Sequence, residues 1–398
     1  MGALVSVEDF RRLAQSRLPK MVFDYMEGGA EGESGLRHNR EVFEEVRFQP
    51  KRLTDVSKRS IEASLFGKRM RAPLLIAPSG INGILWPKGD IVLAKAAARF
   101  GIPFILSTAS NSSIEEVADA AGGDLWFQLY IVHRKLSDLL VKRALAAGYR
   151  TLVLTVDVTV NGKRERDLKN NFGVPVRYTA RTLIDGLTHP SWSWNFLRNG
   201  VPQFGNLASS TINDPEIQAA LMTRQMDGSF SWDDLAHLRE IWPHKLLVKG
   251  LSRSDDAKRC ESMGIDGVIL SNHGGRQLDT AIAPFQALPS THSAVDIPVL
   301  IDSGIRRGSD VVKAIAAGAT AVLLGRATLY GLAAKGSEGV DAVLDIFRDE
   351  MDRTLAQIGC PDIEQVDTTY LWPRGNRFQG HYGSDAAVAL ENLMPTHR

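Results

Sequence analysis

Apolar and polar residues alternate in blocks along most of this chain. Short apolar runs at residues 73–78, 103–107, 125–130, 151–157, 245–249, 267–271, 298–302 and 320–325 have the length of buried strands. Most are followed by stretches with helical spacing, such as 89–99, 113–120, 136–147 and 254–263. Eight strand-then-helix units are the arithmetic of a (β/α)8 TIM barrel, an α/β fold with a closed parallel sheet. An open doubly wound sheet is the competitor. It would want a glycine-rich dinucleotide turn, and none follows the first run.

Two regions stand outside the repeat. Residues 1–70 form an N-terminal arm, in which the pattern predicts one helix over 7–26 carrying Tyr25. After the fourth strand the chain runs from 158 to 244 before the fifth begins, far longer than an ordinary βα connection. Within that gap, 216–226 and 232–242 have helical spacing. The whole reads as a single domain, with the barrel over 71–370 and a tail over 371–398.

Polar residues collect where the apolar runs stop: Ser79, Ser107, Gln128 with Tyr130, Thr155 with Asp157, Lys249, His273 and Asp302. Residues two apart in a strand share a face, so Gln128 and Tyr130 can point the same way, as can Thr155 and Asp157. Barrel active sites lie at the carboxyl ends of the strands. One such residue would be an ordinary strand terminus; their recurrence on nearly every run reads as a site.

Composition narrows the field only a little. With 44% hydrophobic and 23% charged residues the chain has the make-up of a globular protein with a sizeable core. A formal charge of +1 argues against a general nucleic-acid binder. Cys260 and Cys360 cannot make a disulfide framework and point to a reducing compartment. Glu8, Asp9, Arg11 and Arg12 do not fit a secretory signal, and no apolar run reaches the roughly 18 residues of a membrane span.

The most telling string is Ser271-Asn272-His273-Gly274-Gly275-Arg276-Gln277-Leu278-Asp279, which follows the sixth run. It puts a histidine and an arginine three apart on a loop that two glycines allow to turn sharply. A base beside a carboxylate clamp is what oxidation of a 2-hydroxy acid requires. Asp302-Ser303-Gly304-Ile305-Arg306 follows the seventh run and leads to a helix at 309–317, while Gly325-Arg326 follows the eighth. Loops at those strands are the usual phosphate site of such barrels, where a helix N-terminus and arginine meet the anion. Phosphate binding alone suits many barrels, aldolases included. Lys249 could be a Schiff-base lysine or a fixed charge beside a flavin ring.

The 271–279 string resembles the signature of the FMN-dependent 2-hydroxy-acid dehydrogenases and oxidases, and the likeness extends to about residue 370. The resemblance implies FMN as cofactor. It places Pro78, Ser79, Gly80, Ser107, Gln128 and Thr155 at the ring and ribityl chain, with Lys249 beside N1. Asp302, Ser303, Gly304, Arg306, Gly325 and Arg326 would hold the far end of the cofactor. His273 would be the base, oriented by Asp157, with Arg276 and Arg164 (preferred over its neighbour Arg166) on the substrate carboxylate. Tyr130 would contact the substrate hydroxyl and Tyr25 would close over the carboxylate. This set serves both Cα-proton removal and hydroxyl-proton removal with hydride transfer.

Stretches 18–22, 85–90, 123–130 and 242–249 are most similar to the membrane-associated, mandelate-oxidising members of the family. That implies oxidation of (S)-mandelate to benzoylformate, a membrane quinone as acceptor, peripheral attachment at the cytoplasmic face and a homotetramer. Gly80, where the oxidases carry alanine, points toward a dehydrogenase. The insert at 177–215 sets Trp192, Trp194, Phe196, Leu197 and Phe204 among Arg177, Arg181 and Arg198, a mixture suited to lipid headgroups. An active-site lid or a subunit contact is its plainer reading. L-Lactate as substrate, oxygen as acceptor and a flavin-free aldolase-like barrel are the alternatives.

Overall fold

Proline breaks the first helix. In the computed structural model, which describes residues 2–172, 179–207 and 226–373, the helix expected over 7–26 is two: α1 (Val7–Arg17) and α2 (Lys20–Glu27). Leu18, ahead of Pro19, is extended at φ −98° and ψ 139°, because the proline ring disfavours a helical residue before it. Ser6 starts α1 with a capping box, its Oγ accepting from the Asp9 amide at 3.2 Å. Helix α3 (Ser34–Glu44), strand β1 (Val46–Phe48) and the hairpin β2 (Ala63–Leu65) and β3 (Lys68–Met70) complete the arm.

The barrel strands follow as β4 (Leu74–Ile76), β5 (Phe104–Ser107), β6 (Leu125–Leu129), β7 (Thr151–Thr155), β8 (Lys245–Leu251), β9 (Gly267–Leu270), β10 (Val299–Ile301) and β11 (Ala321–Leu324). Each pairs in parallel with its neighbours in sequence, and β11 pairs with β4 to close the barrel. Helices α4 (Gly89–Phe100), α5 (Ile114–Ala121) and α6 (Arg134–Ala146) follow the first three strands. Leu371–Pro373, inside the expected tail, forms β12, which pairs antiparallel with β1. The rest of that tail, from 374 on, lies outside the described residues, as does nearly all of the helix expected over 216–226.

The period-two alternation of the strands divides the core. Leu74, Ile76, Phe104, Leu106, Phe127 and Leu129 pack outward against the helices. Leu75, Ile105, Trp126, Val153, Leu247, Ile269, Leu300 and Leu323 fill the barrel interior, where Leu65 and Met70 of the β2–β3 hairpin join them. Two residues further along the inward face stand Ala77, Ser107, Gln128, Thr155, Lys249, Ser271, Asp302 and Gly325. Pleating alone therefore aims this polar ring at one mouth of the barrel.

The described part of the long connection after β7 begins with helices α7 (Glu165–Lys169), α8 (Ala180–Leu187) and α9 (Pro190–Asn199). The expected helix near 232–242 forms as Trp232–Ile241. Helices α8 and α9 make a hairpin whose aromatic residues divide. Trp192 and Phe196, one turn apart, stack at 4.9 Å, and Trp192 packs against the core, whereas Trp194 is 67% exposed and Leu197 77% exposed. The insert's aromatics thus do not form one outward face. The remainder of 177–215, at 177–178 and 208–215, is outside the described residues.

Candidate active site

The polar ring opens into a broad cavity at the barrel mouth, the kind of concave site that takes a cofactor or small molecule. Pro78, Ser79, Gly80, Ser107, Thr155, Lys249, Asp302, Ser303, Gly304, Arg306, Gly325 and Arg326 line it. So do Tyr25, Tyr130, Arg164, His273 and Arg276. Gln128 and Asp157 stand just behind its wall: Gln128 Oε1 accepts from Ser107 Oγ at 3.0 Å, and Asp157 Oδ1 bonds His273 Nδ1 at 3.0 Å.

His273 is fixed from three sides. Asp157 holds Nδ1, the Tyr130 hydroxyl lies 3.2 Å from Nε2, and the His273 amide donates to Ser271 Oγ at 3.0 Å. Its backbone is left-handed (φ 58°), unusual outside glycine, and leads directly into Gly274 and Gly275 at φ 66° and 74°. A Cβ at Gly275 would meet the Leu36 amide nitrogen at 2.6 Å, so glycine there lets α3 close on the loop. Burial works against the Asp157 carboxylate, yet His273 and Lys249 outweigh it and hold its pKa below the usual range. The bond to Asp157 leaves Nε2 as the nitrogen facing Tyr130 and the cavity.

Lys249 is buried, with Asp302 Oδ2 at 2.9 Å and Ser271 Oγ at 2.8 Å. Burial alone would lower its pKa, but Asp302 and Asp157 raise it above the usual lysine value. A Schiff-base lysine needs the opposite shift, so an aldolase role does not fit. Ser271, absent from the sequence-based set, is the hinge of this network: one oxygen accepts from both Lys249 and the His273 backbone. Its signal was available, since it continues the inward face two residues after Ile269.

Around the cavity the arginines differ in what they hold. Arg276 donates to the carbonyls of Tyr25 (2.8 Å) and Gly28 (2.7 Å), with its guanidinium 5.2 Å from the Tyr25 ring centre. Arg164 lines the cavity and its buried Nε has no partner in the protein, whereas Arg166 turns away to Glu33 and Asp24. Burial first, then repulsion from Arg164 and Arg326, pushes Arg276 down to about 9. The pocket therefore carries surplus positive charge that a bound anion would relieve.

The expected phosphate side needs one correction. At the start of the helix Gly308–Ala316 the amides of Arg306 and Arg307 bond Asp310, and that of Gly308 bonds Glu350 at 2.7 Å. That N-terminus is thus already satisfied. The helix that starts at Arg326 has no side-chain cap at its N-terminus, and its cap residue Gly325 lines the cavity. Arg326 also clamps the arm, donating to the carbonyls of Met26, Gly28 and Gly274.

Gln128 Nε2 and Thr155 Oγ1 are buried without a hydrogen-bond partner in the protein. Such groups are costly unless a ligand satisfies them. An amide donor and a hydroxyl, beside a lysine and on a polar ring, fit the carbonyl and ring nitrogens of an isoalloxazine. The sequence profile of the FMN-dependent dehydrogenases matches residues 14–373. The chain belongs to this family. The flavin-free alternative falls with that match, and FMN is the cofactor of this FMN-dependent dehydrogenase.

Among its relatives, (S)-mandelate dehydrogenase of Pseudomonas putida is 60% identical over 94% of this chain and 95% of that protein. An L-lactate dehydrogenase of Pectobacterium atrosepticum is 40% identical over 91% of this chain and 95% of its own length. The crystal structure of the monotopic membrane protein (S)-mandelate dehydrogenase superposes with a TM-score of 0.91. It is 60% identical in sequence and covers 94% of this chain and 100% of that one.

Sequence reasoning also missed Asn206. Its side chain is fully buried, donates to the carbonyls of Ser107 (3.2 Å) and Thr108 (3.3 Å), and accepts from Ile114 N at 2.9 Å. It pins the end of the insert to the loop after β5. No pattern in its own neighbourhood signals that contact, nearly a hundred residues away.

Proposed function

We propose that this dehydrogenase oxidises (S)-mandelate to benzoylformate at a membrane surface, as a homotetramer on the cytoplasmic face, and delivers the electrons to a membrane quinone. The observation that carries the chemistry is His273, held between Asp157 and Tyr130 beside two arginines in a cavity with surplus positive charge. Arg276 and Arg164 grip the substrate carboxylate, Arg276 by forked geometry that a lysine could not reproduce. Tyr25, stacked near Arg276, closes over that carboxylate from the arm. Tyr130, whose pKa burial raises, stays a neutral donor to the substrate hydroxyl. His273 takes the proton and Asp157 stabilises the resulting imidazolium, a form of catalysis worth roughly 10²–10⁴-fold.

Bound FMN supplies the two-electron sink. Pro78, Ser79, Gly80, Ser107, Gln128 and Thr155 hold its ring and ribityl chain. Lys249, kept charged by Asp302, would supply a fixed positive charge beside the ring. Ser303, Gly304, Arg306, Gly325 and Arg326, with the helix start at Arg326, receive its phosphate. A Cβ at Gly80 would lie 2.9 Å from that of Ala109, so alanine there would have to displace the neighbouring loop. This supports the dehydrogenase reading over oxygen use.

Membrane attachment rests on the α8–α9 hairpin, where Ile184, Leu187, Trp194, Leu197 and Val201 are exposed. No helix among the described residues is long and apolar enough to cross a bilayer. Such a surface suits an interfacial contact with lipid headgroups. The test is anaerobic bleaching of the flavin in detergent-solubilised enzyme, with (S)-mandelate and L-lactate offered separately. Faster bleaching by mandelate is expected; faster bleaching by lactate overturns the substrate while sparing the residue roles.

A further inference from the structure

A second cavity lies under the insert between α9 and the loops that follow β4 and β5. We infer that it binds the head group of the lipid-soluble quinone that reoxidises the enzyme; this rests on the membrane-acceptor reading above. Ile84, Trp86, Trp192 and Phe196 give it flat apolar and aromatic walls, and Lys88 and Asn195 put N–H donors at its edge. A quinone is a planar ring with two carbonyl acceptors, and such a lining suits both parts.

Position strengthens the assignment. Gly80 and Ala109 line the mouth cavity, and Gly83 and Asn111 of the same two loops line this one. The loops are tied by Ile81 N to Ala109 O at 3.0 Å and Gly83 N to Asn111 Oδ1 at 2.8 Å. Residues three apart lie at most about 11 Å from one another, so the partition is only a layer or two of backbone. Electron transfer falls steeply with distance, so this closeness to the mouth cavity favours the site.

Access comes from α9 itself. Its inner face presents Trp192 and Phe196 to the cavity, with Trp192 Nε1 donating to Ile84 O at 2.7 Å. Its outer face carries exposed Trp194 and Leu197. One helix, about 10 Å across with its side chains, thus separates the apolar surface from the cavity. A lipid-soluble ligand need pass only around that helix. The net reaction balances: the 2-hydroxy acid loses two electrons and two protons in becoming the 2-oxo acid, and the quinone takes up both pairs in becoming the quinol.

The experiment uses detergent-solubilised holoenzyme with an azido-substituted, short-tailed ubiquinone analogue under anaerobic conditions. Photolabelling is expected in peptides covering 83–88 or 192–203, and Asn195→Trp, which fills the cavity edge, is expected to abolish it. The same variant should slow (S)-mandelate-driven reduction of decylubiquinone about tenfold or more while leaving flavin bleaching within about twofold. Labelling confined to the mouth cavity, or no loss of quinone turnover in N195W, overturns the site but not the membrane-acceptor reading. A wild-type enzyme that bleaches with mandelate yet reduces no quinone overturns both.

Discussion

At the barrel mouth, charged groups are buried and held by partners; on the α8–α9 hairpin, large apolar groups stand in solvent. Lys249, Asp302, Asp157 and His273 form a chain of contacts between 2.9 and 3.0 Å or through Ser271, each link supplied by a different strand or the loop after it. Leu187, by contrast, is 80% exposed on a two-helix excursion far from any barrel strand. Both arrangements cost stability in an isolated, ligand-free chain. The mouth needs an anion and a ring to satisfy its arginines, Gln128 and Thr155, while the hairpin leaves large apolar side chains uncovered. On the reading proposed above, these two unfinished surfaces serve two meetings, one with small molecules and one with a lipid surface.

If the two regions are independent, variants should separate them cleanly. Replacing His273 with glutamine should slow flavin bleaching by roughly 10²–10⁴-fold while co-sedimentation with anionic vesicles is unchanged. A parallel loss of vesicle binding would show that the mouth and the hairpin are coupled. Next in size, Lys249→Met strands Asp302 and Asp157 without their cation. Breaking a buried pair in this way costs about 3–5 kcal/mol, readable as a lower urea midpoint and weaker flavin retention. On the other side, Ile184→Ser, Leu187→Ser, Trp194→Ser and Leu197→Ser together should weaken vesicle binding about a hundredfold or more, with bleaching rates within about twofold. Bleaching lost along with vesicle binding would make the hairpin part of the active site instead.

The smallest effect is that of pH on stability. Lys249 has its pKa raised above 10.5, so its contribution is present below that value and disappears as pH rises past the folded pKa. Asp157 lies below 3.8, so its contribution is present above that value and disappears as pH falls through the folded pKa. Thermal melts should therefore show these two groups contributing evenly between those limits and failing only at the extremes. In Lys249→Met the alkaline loss should vanish.

The difference between the regions also explains how much the sequence revealed. Period-two alternation carries its own geometry, so Ser107, Thr155 and Lys249 could be placed at one mouth from spacing alone. The sequence pointed to the insert's aromatic and arginine mixture but not to its two helices, nor to which aromatics would face inward. That choice was made by Ile84 and the loop after β4, about a hundred residues earlier. The capped start of Gly308–Ala316 was hidden for the same reason, since Glu350 reaches it from a distant helix. So was the double duty of Arg326, whose partners lie in the arm. The break at Leu18-Pro19, on the other hand, was missed although its signal was local, because the proline itself disfavours a helix through it.

The clamp between Arg326 and the arm has a consequence for how the protein is made. Met26 and Arg326 are 300 residues apart, so the arm leaves the ribosome long before the side chain that fastens it exists. At about 5–20 residues per second, that interval is on the order of 15–60 s. Throughout it Phe10 and Ala14, which end up buried, have no final strand or helix to settle against. The first residues translated are therefore among the last to dock. Nascent chains should stay sensitive to proteolysis within the arm until the eighth barrel strand and the helix after it have emerged.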